Sequence, residues 1–538
     1  MTQNLLHNRH SSPIKSTIIP IILTSDKTPV THQTGGLEMH PVFLTIRNIQ
    51  SDIWMQVTSH AWHCIAFIPS PDFNIHTDFR TILLAHVFHW SLDVVTASLK
   101  AAAKDGTSLI DPCGNIRNCY MPLIAYIADL PEQQLIMGVS RNASPVTMAK
   151  IPQFGDPTPA APQMHKKILC LIQEVCRTAH PWDLIAFQKA AKSLKLLGIH
   201  LPFWHNWMFS DPEYFLNGEI LHSGHKFFFD HVLSWCKVVA GSSVLNTCFS
   251  SLHQCVSFCH FSSGVSRPLQ MTRRDHHDIQ RMIVPILDGA GTITDGFICA
   301  ICALVKFIYH AQDPVHTNSL IAAMEQALMN FHSTKQSILD LQARKGSSGV
   351  INHFRIPKLE LMLSFGQQIK ANGTLMQYSA EVPECLLITH CKTPFQQTSH
   401  NTHTYADQVV EILNHEETMR WRACSTAERT ATNIVIAPIA CARIALLLCS
   451  LCSCSPLLML ALLLLALPLL PARTACSHAA HSSLVLPSLV LPAPAPRSHA
   501  RAPFARSSLL GFGAALGHFR APCVCAIPYL GFASQRLA

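Results

Sequence analysis

Two aspartates stand where an apolar run gives way to polar sequence. Asp26 follows TIIPIILT (17–24) by one serine, and Asp129 closes PLIAYIA (122–128). A carboxylate at such a place can ligate a hard divalent cation. It is also the ordinary residue for a turn or a helix cap. A second group is His222 and His225, followed by Asp230 and His231. His-x-x-His puts two imidazoles near one helix face, as a metal site requires, in a chain that carries 32 histidines, where ordinary polar positions are often His. Cys299 and Cys302 form a CxxC inside the apolar helical pattern FICAICALVKFIYHA, which favours core packing over metal. Cys255, Cys259 and His260 have ligand spacing with no second half-site nearby.

The elements that must position these groups read as strands first and helices later. TIIPIILT is β-branched and apolar, a buried strand ending at Ser25-Asp26. PVFLTI (41–46) and HCIAFIP (63–69) read as the next two strands, and residues 76–104 as helix. Pro112 to Tyr120 is polar and turn-like, and PLIAYIA runs as a strand into Asp129. A proline-rich connection (144–162) leads into a mostly helical stretch from about 165 to 345, followed by a short mixed end near 346–425. No internal repeat is visible.

At 538 residues the chain exceeds one ordinary domain. Apolar residues make up 49% and charged residues 13%, which excludes an acidic or basic disordered protein. The net charge of +8 lies wholly in the last fifth. Residues 429–538 hold eight arginines and no Asp, Glu or Lys, so positions 1–428 are neutral. Within that tail, residues 444–470 are 27 uncharged positions, 14 of them leucine, long enough to span a bilayer. The remainder is a low-complexity Ala/Pro/Ser/Leu sequence. Two readings stand for the tail: a membrane anchor with a disordered end, or translated sequence never selected as protein. No secretory signal opens the chain, and its 21 cysteines, such as Cys64, Cys170, Cys176 and Cys236, read as reduced, buried thiols.

Seven phrases of the body resemble the Plavaka-type transposases of fungi, relatives of the CACTA class. They are IILTSDKTPVT (21–31), HPVFLTIRNI (40–49), PLIAYIADLPEQQLI (122–136), ASPVTMAKIPQFGDP (143–157), LHSGHKFFFDHVLSW (221–235), FHSTKQSI (331–338) and HFRIPKLELM (353–362), in one collinear order across about 14–425. The resemblance implies an α+β fold, a ribonuclease-H-like core with a large helical insertion, and behind it the hydrophobic tail. The corresponding division is 14–140 for the strand-rich start, 141–345 for the insertion and end of the core, 346–428 for a small mixed part, and 429–538 for the tail.

The implied chemistry is metal-dependent DNA cleavage and strand transfer by three carboxylates. Two Mg²⁺ ions about 3.5–4 Å apart can activate the attacking oxygen and stabilise the leaving one, with Mn²⁺ as the substitute. By resemblance the ligands are Asp26, Asp129 and Asp275, with Asp111 the rival for the second. Asp275 stands where relatives carry Glu, one methylene longer, and Arg273 where they carry Gly. Glu219 and His222 match an acid-x-x-His motif that organises the site or positions DNA. The implied partner is transposon-end DNA, with a homo-oligomer and a nuclear location, and a membrane only through 444–470.

Three departures point to a truncated, degenerate enzyme. The first strand begins about 17 residues into the chain, without the zinc-binding module that usually precedes it. VSRNASPVT (139–147) lacks the paired cysteines of many relatives. Lys166-Lys167 and Arg273-Arg274 are the adjacent basic pairs before residue 344, sparse for a phosphate-binding face. The competing classes are a non-catalytic DNA-binding or interaction protein and a membrane-anchored protein.

Overall fold

The computed structural model describes residues 16–431 apart from 32–35, 72, 74–75, 112, 267–272 and 291–292. The 444–470 run, and all of the tail beyond 431, lies outside the described residues. Among those described, no single helix is long and apolar enough to cross a membrane.

The chain is mixed α/β. Seven strands matter: β1 (Ser16–Ile18), β2 (Ile21–Ser25), β3 (Pro41–Ile46), β4 (His63–Phe67), β5 (Thr107–Ile110), β6 (Ile116–Tyr120) and β7 (Leu123–Ile127). The central sheet has the order β4-β3-β2-β7. β2 and β3 pair antiparallel from Ile21↔Ile46 to Ser25↔Val42, and β3 pairs antiparallel with β4. β7 joins β2 in parallel, with Ile22↔Ala125 and Thr24↔Ile127 in register. A parallel neighbour needs a long crossover. Helices α1 (Thr77–Val95) and α2 (Ala97–Asp105) and the β5–β6 hairpin fill it. Beyond β7 the sheet gains one further parallel bridge, Tyr126↔Leu216.

β2 and β3 are buried at every residue because both faces of the sheet are covered. Alternation sends Ile21, Leu23, Val42, Leu44 and Ile46 to one face, against Phe88, Leu92, Ile136, Phe203 and Trp204. Ile22, Phe43, Ala125 and Ile127 meet Trp54, Trp62, Tyr378, Leu386, Leu387 and Phe395 on the other. A third core is mainly helical. Residues from 220 to 249 and the helices Arg273–Gly289, Asp295–Ala311 and Asn318–Thr334 enclose Phe227, Trp235, Ile301, Leu304 and Phe331.

Several expectations need correction. The strand read over 17–24 is two, because Pro20 has no N–H for the ladder. β1 pairs with β6 in a separate sheet, β1-β6-β5, and β2 begins only after Pro20. The stretch 112–120, read as turn, contains strand β6, the middle strand of that sheet, whose first two residues, Ile116 and Arg117, are exposed and whose one buried residue is Cys119. The helix read over 76–104 bends by 52° between α1 and α2. Thr96 Oγ donates to the Leu92 carbonyl at 2.6 Å there, a back-bond that bends helices. The 346–425 end is mostly helical beyond the small hairpin 345–350. Of the thiols read as buried, Cys64 and Cys236 are, whereas Cys170, Cys176 and Cys299 are exposed.

Candidate active site

Because β2 and β7 are parallel neighbours, their C-terminal ends emerge side by side. The residues just past those ends, Asp26 and Asp129, line one small pocket with Thr24, Ser25, His222 and Glu384.

Asp129 is the N-cap of helix α3 (Leu130–Met137), its Oδ1 accepting from the Glu132 N–H at 3.0 Å. Pro131 fits the first turn, where no N–H is needed, and Gly138 ends the helix in the left-handed region at φ 76°. The capping role is therefore real and occupies one oxygen. The same helix turns Glu132 inward, where it accepts from the Ser25 hydroxyl and lies 3.2 Å from His40 Nε2. Ser25 Oγ also lies 2.5 Å from the Tyr126 hydroxyl.

Burial, then the negative charges of Glu132 and Asp129, raise the Asp26 carboxyl from 3.8 to about 7, against the smaller pull of His222 and His40. Burial also raises Asp129, opposed by the Glu132 N–H and by the charges of His222 and Lys358. Carboxylates that disfavour their own charge in a cleft are what a cation site looks like before the cation is counted.

Glu219 and His222, matched by sequence as a motif, are brought together. Residues Leu221–His225 form a wide π-turn. Glu219 is 1% exposed and accepts from the N–H groups of Leu221 at 2.7 Å, His222 at 2.5 Å and Ala380 at 3.0 Å. His222 Nδ1 donates to Glu219 Oε2 at 2.8 Å, and its Nε2 lies 3.1 Å from Glu384 Oε1. Burial opposes the imidazolium, but the bonds to Glu219 and Glu384 overcome it and push His222 up to about 10. Gly218 is required by close approach, since a Cβ there would meet the Phe365 ring at 2.2 Å.

The other expected residues lie elsewhere. Asp111 folds the β5–β6 turn, accepting from the N–H groups of Cys113 and Asn115 and from Arg117 Nε at 2.7 Å. Arg117 first, then the Asn115 N–H, hold its carboxyl down at about 2. Asp275 is on the helix Arg273–Gly289 and is not among the residues lining the pocket. With Asp278 it faces the Cys259 thiol, which burial and those two acids push up to about 12. That helix reaches the back of the 221–225 turn, where His225 Nδ1 meets Gln280 at 3.3 Å and the His225 and His277 rings lie 4.2 Å apart. The CxxC pair sits on the helix Asp295–Ala311 with Cys299 exposed and Cys302 partly so, which fits neither core packing nor a closed metal site.

Among the described residues, the group of three potential ligands whose atoms fall within 4.8 Å of one another is His165, Asp211 and Glu213. Its imidazole lies between the acids, Nδ1 at 2.9 Å from Glu213 and Nε2 at 3.3 Å from Asp211. A ring that spends one nitrogen on each carboxylate is arranged as a bridge between them rather than as one ligand among three.

Sequence reasoning passed over Glu384, Glu132, His40 and Lys358. Glu384 lies on the short helix Glu381–Leu387, which Val382, Leu386 and Leu387 fasten to the sheet face. No motif spacing links it to Asp26. Glu132 carried a signal, three residues into a capped helix, but its inward aim is tertiary.

Residues 1–236 match the family model described as Plavaka transposase. No curated protein matches the chain.

Proposed function

We propose, from the match of residues 1–236 to the Plavaka transposase model, that this chain is a transposase of that type and that it cleaves and joins DNA at the pocket of Asp26, Asp129 and Glu384. The observation that carries the reading is the emergence of two acids from adjacent parallel strands, with a third acid facing them from a helix that packs on the same sheet. The strand order supports a ribonuclease-H-like core: three antiparallel strands, a helical crossover, a fourth strand parallel to the first, and a fifth position at Leu216. The largely helical stretch from about 220 to 375 then occupies the place of the insertion, and Glu384 follows it.

The donor set suits Mg²⁺ or Mn²⁺, being hard carboxylate oxygen on groups whose mutual repulsion a cation would relieve. Bound by those carboxylates, such an ion would activate the attacking oxygen and stabilise the leaving one. The protein's own part is placement. Asp129 keeps its second oxygen for the pocket while the first caps α3. Glu132, Ser25 and His40 form the layer behind Asp26. His222, held charged by Glu219, fixes Glu384. Glu384 rather than Asp275 is our third acid, and with it the acid set is complete. A DNA substrate carries with it a nuclear location.

The test is nicking of supercoiled plasmid by the full chain in Mn²⁺. Asp26→Asn, Asp129→Asn and Glu384→Gln should each abolish nicking with the chain still folded at the assay temperature, while Asp275→Asn should retain it. Nicking by all four at the wild-type rate would refute the assignment. DNA binding without nicking by the wild type would favour a non-catalytic protein.

A further inference from the structure

Lys358 is a half-buried lysine near the acids, and among the described residues no hydrogen bond or ion pair holds its ammonium. Other lysines in similar settings are held. Lys100 is paired with Asp93 and the Phe203 carbonyl, and Lys335 donates to the Gly155 carbonyl. Lys358 stands at the second position of the helix Pro357–Met362, too short and too weakly capped to be placed by its own propensity. Tertiary contacts place it. The helix packs on the π-turn Leu221–His225 that carries His222. Two residues on, Glu360 is 2% exposed and accepts from the hydroxyls of Ser144, at 2.6 Å, and Thr147. Those hydroxyls belong to the loop that follows α3, the helix capped by Asp129. Lys358 is thus fixed relative to the pocket from two sides.

Its electrostatic surroundings agree. Burial lowers the ammonium's pKa, and Asp230, Glu219 and Asp129 act to keep it charged, with Lys226 opposing. A cation held in the field of Asp129 but not paired to it has its donors free for another anion. Lysine serves that role as a compact point charge with three rotatable donors, and phosphate oxygen is its usual acceptor in such places.

We propose that Lys358 takes a non-bridging oxygen of the DNA phosphate presented to the Asp26–Asp129–Glu384 pocket. The inference rests on the nuclease reading for what the pocket does, but the phosphate contact can be measured apart from it. The experiment is anisotropy of a short labelled duplex with the full chain in EDTA over a range of salt. Lys358→Met, which keeps the stem and removes the charge, should weaken binding several-fold and make the slope of log affinity against log salt shallower by about 0.9, the loss of one phosphate contact. Lys358→Arg should keep both affinity and slope, and neither variant should change the melting temperature. Unchanged affinity and slope in Lys358→Met overturn the proposal. So does a lower melting temperature with the slope intact, which is the behaviour of a structural counter-charge. Nicking in Mn²⁺ separates the two readings. A changed slope in a chain that never nicks leaves the phosphate contact standing and removes the nuclease. Nicking that needs Asp26 but is indifferent to Lys358→Met does the reverse.

Discussion

Glu384 Oε1 and His222 Nε2 meet at 3.1 Å at the rim of the pocket, and the other nitrogen of the same ring lies 2.8 Å from the buried Glu219. One side chain therefore ties the turn after Leu216 to a helix far along the chain, and it does so as a cation. An imidazole that stays protonated to about 10 is no general base near neutrality. Its use is to hold one acid and offset another. This gives the acid-x-x-His spacing a physical reason: residues three apart in a helical turn share a face, so the buried acid can reach its own histidine.

Removing that cation has a defined cost. His222→Ala leaves Glu219 buried with backbone donors alone, and loss of one partner of a buried pair costs ~3–5 kcal/mol, read as a lower urea midpoint near neutral pH. Glu384→Gln should cost under ~1 kcal/mol, because Glu384 is half-exposed, yet abolish nicking. The pH sign is fixed by the direction of the shift. His222 is raised from 6.5 to about 10, so its contribution is complete below 6.5 and lost as pH climbs through 10. Wild-type stability should fall across that window and His222→Ala should lack the fall. Equal urea midpoints for His222→Ala and wild type would sink the argument.

The positions of Asp26 and Asp129 were legible because an unbroken apolar run followed by a polar residue marks the end of a strand buried on both faces. PVFLTI was legible for the same reason, at its observed limits. The β5–β6 hairpin was not, since a strand that is exposed at its start and buries only Cys119 looks like turn. Glu384 was invisible for a different reason. It owes its place to Val382, Leu386 and Leu387 meeting the sheet after a long helical interval, and no local spacing encodes that. Asp275 was nominated by resemblance, at the place where relatives carry Thr-Gly-x-Glu, and its helix sets it, with Asp278, beside the Cys259 thiol.

The two candidates for the second carboxylate predict opposite outcomes. Asp111 is spent on its turn, bonded to Arg117 and two backbone N–H groups and held at about 2. Asp111→Ala should loosen the hairpin, seen as faster amide exchange at Cys113 and Asn115, and leave Mn²⁺-dependent nicking within about twofold, since the pocket is untouched. Asp129→Asn should abolish nicking while the cap, which needs only an oxygen acceptor, persists. A nicking defect in Asp111→Ala with a normal rate in Asp129→Asn would reverse the assignment.

Asp26 makes the site a source of instability that a cation would relieve. Its carboxyl titrates at about 7 in the folded chain against an ordinary 3.8, with burial as the first cause and Glu132 and Asp129 next. Below the lower value both folded and unfolded chains hold the proton. Between the two the folded chain still holds a proton that the unfolded chain has lost, so stability falls with rising pH until about 7 and then levels. Asp26→Asn removes the titration, and at about pH 8 it should be more stable than wild type by ~1–3 kcal/mol, a value set below the full shift because the group is only partly buried. At about pH 4 the two should unfold alike. A divalent ion competes with the same proton, so Mn²⁺ affinity of the wild type, followed by the loss of free-ion electron paramagnetic resonance signal, should climb up to tenfold per pH unit toward 7 and flatten above it. Mn²⁺ affinity independent of pH across that range, or an Asp26→Asn variant less stable than wild type at the higher pH, would place the cation away from Asp26.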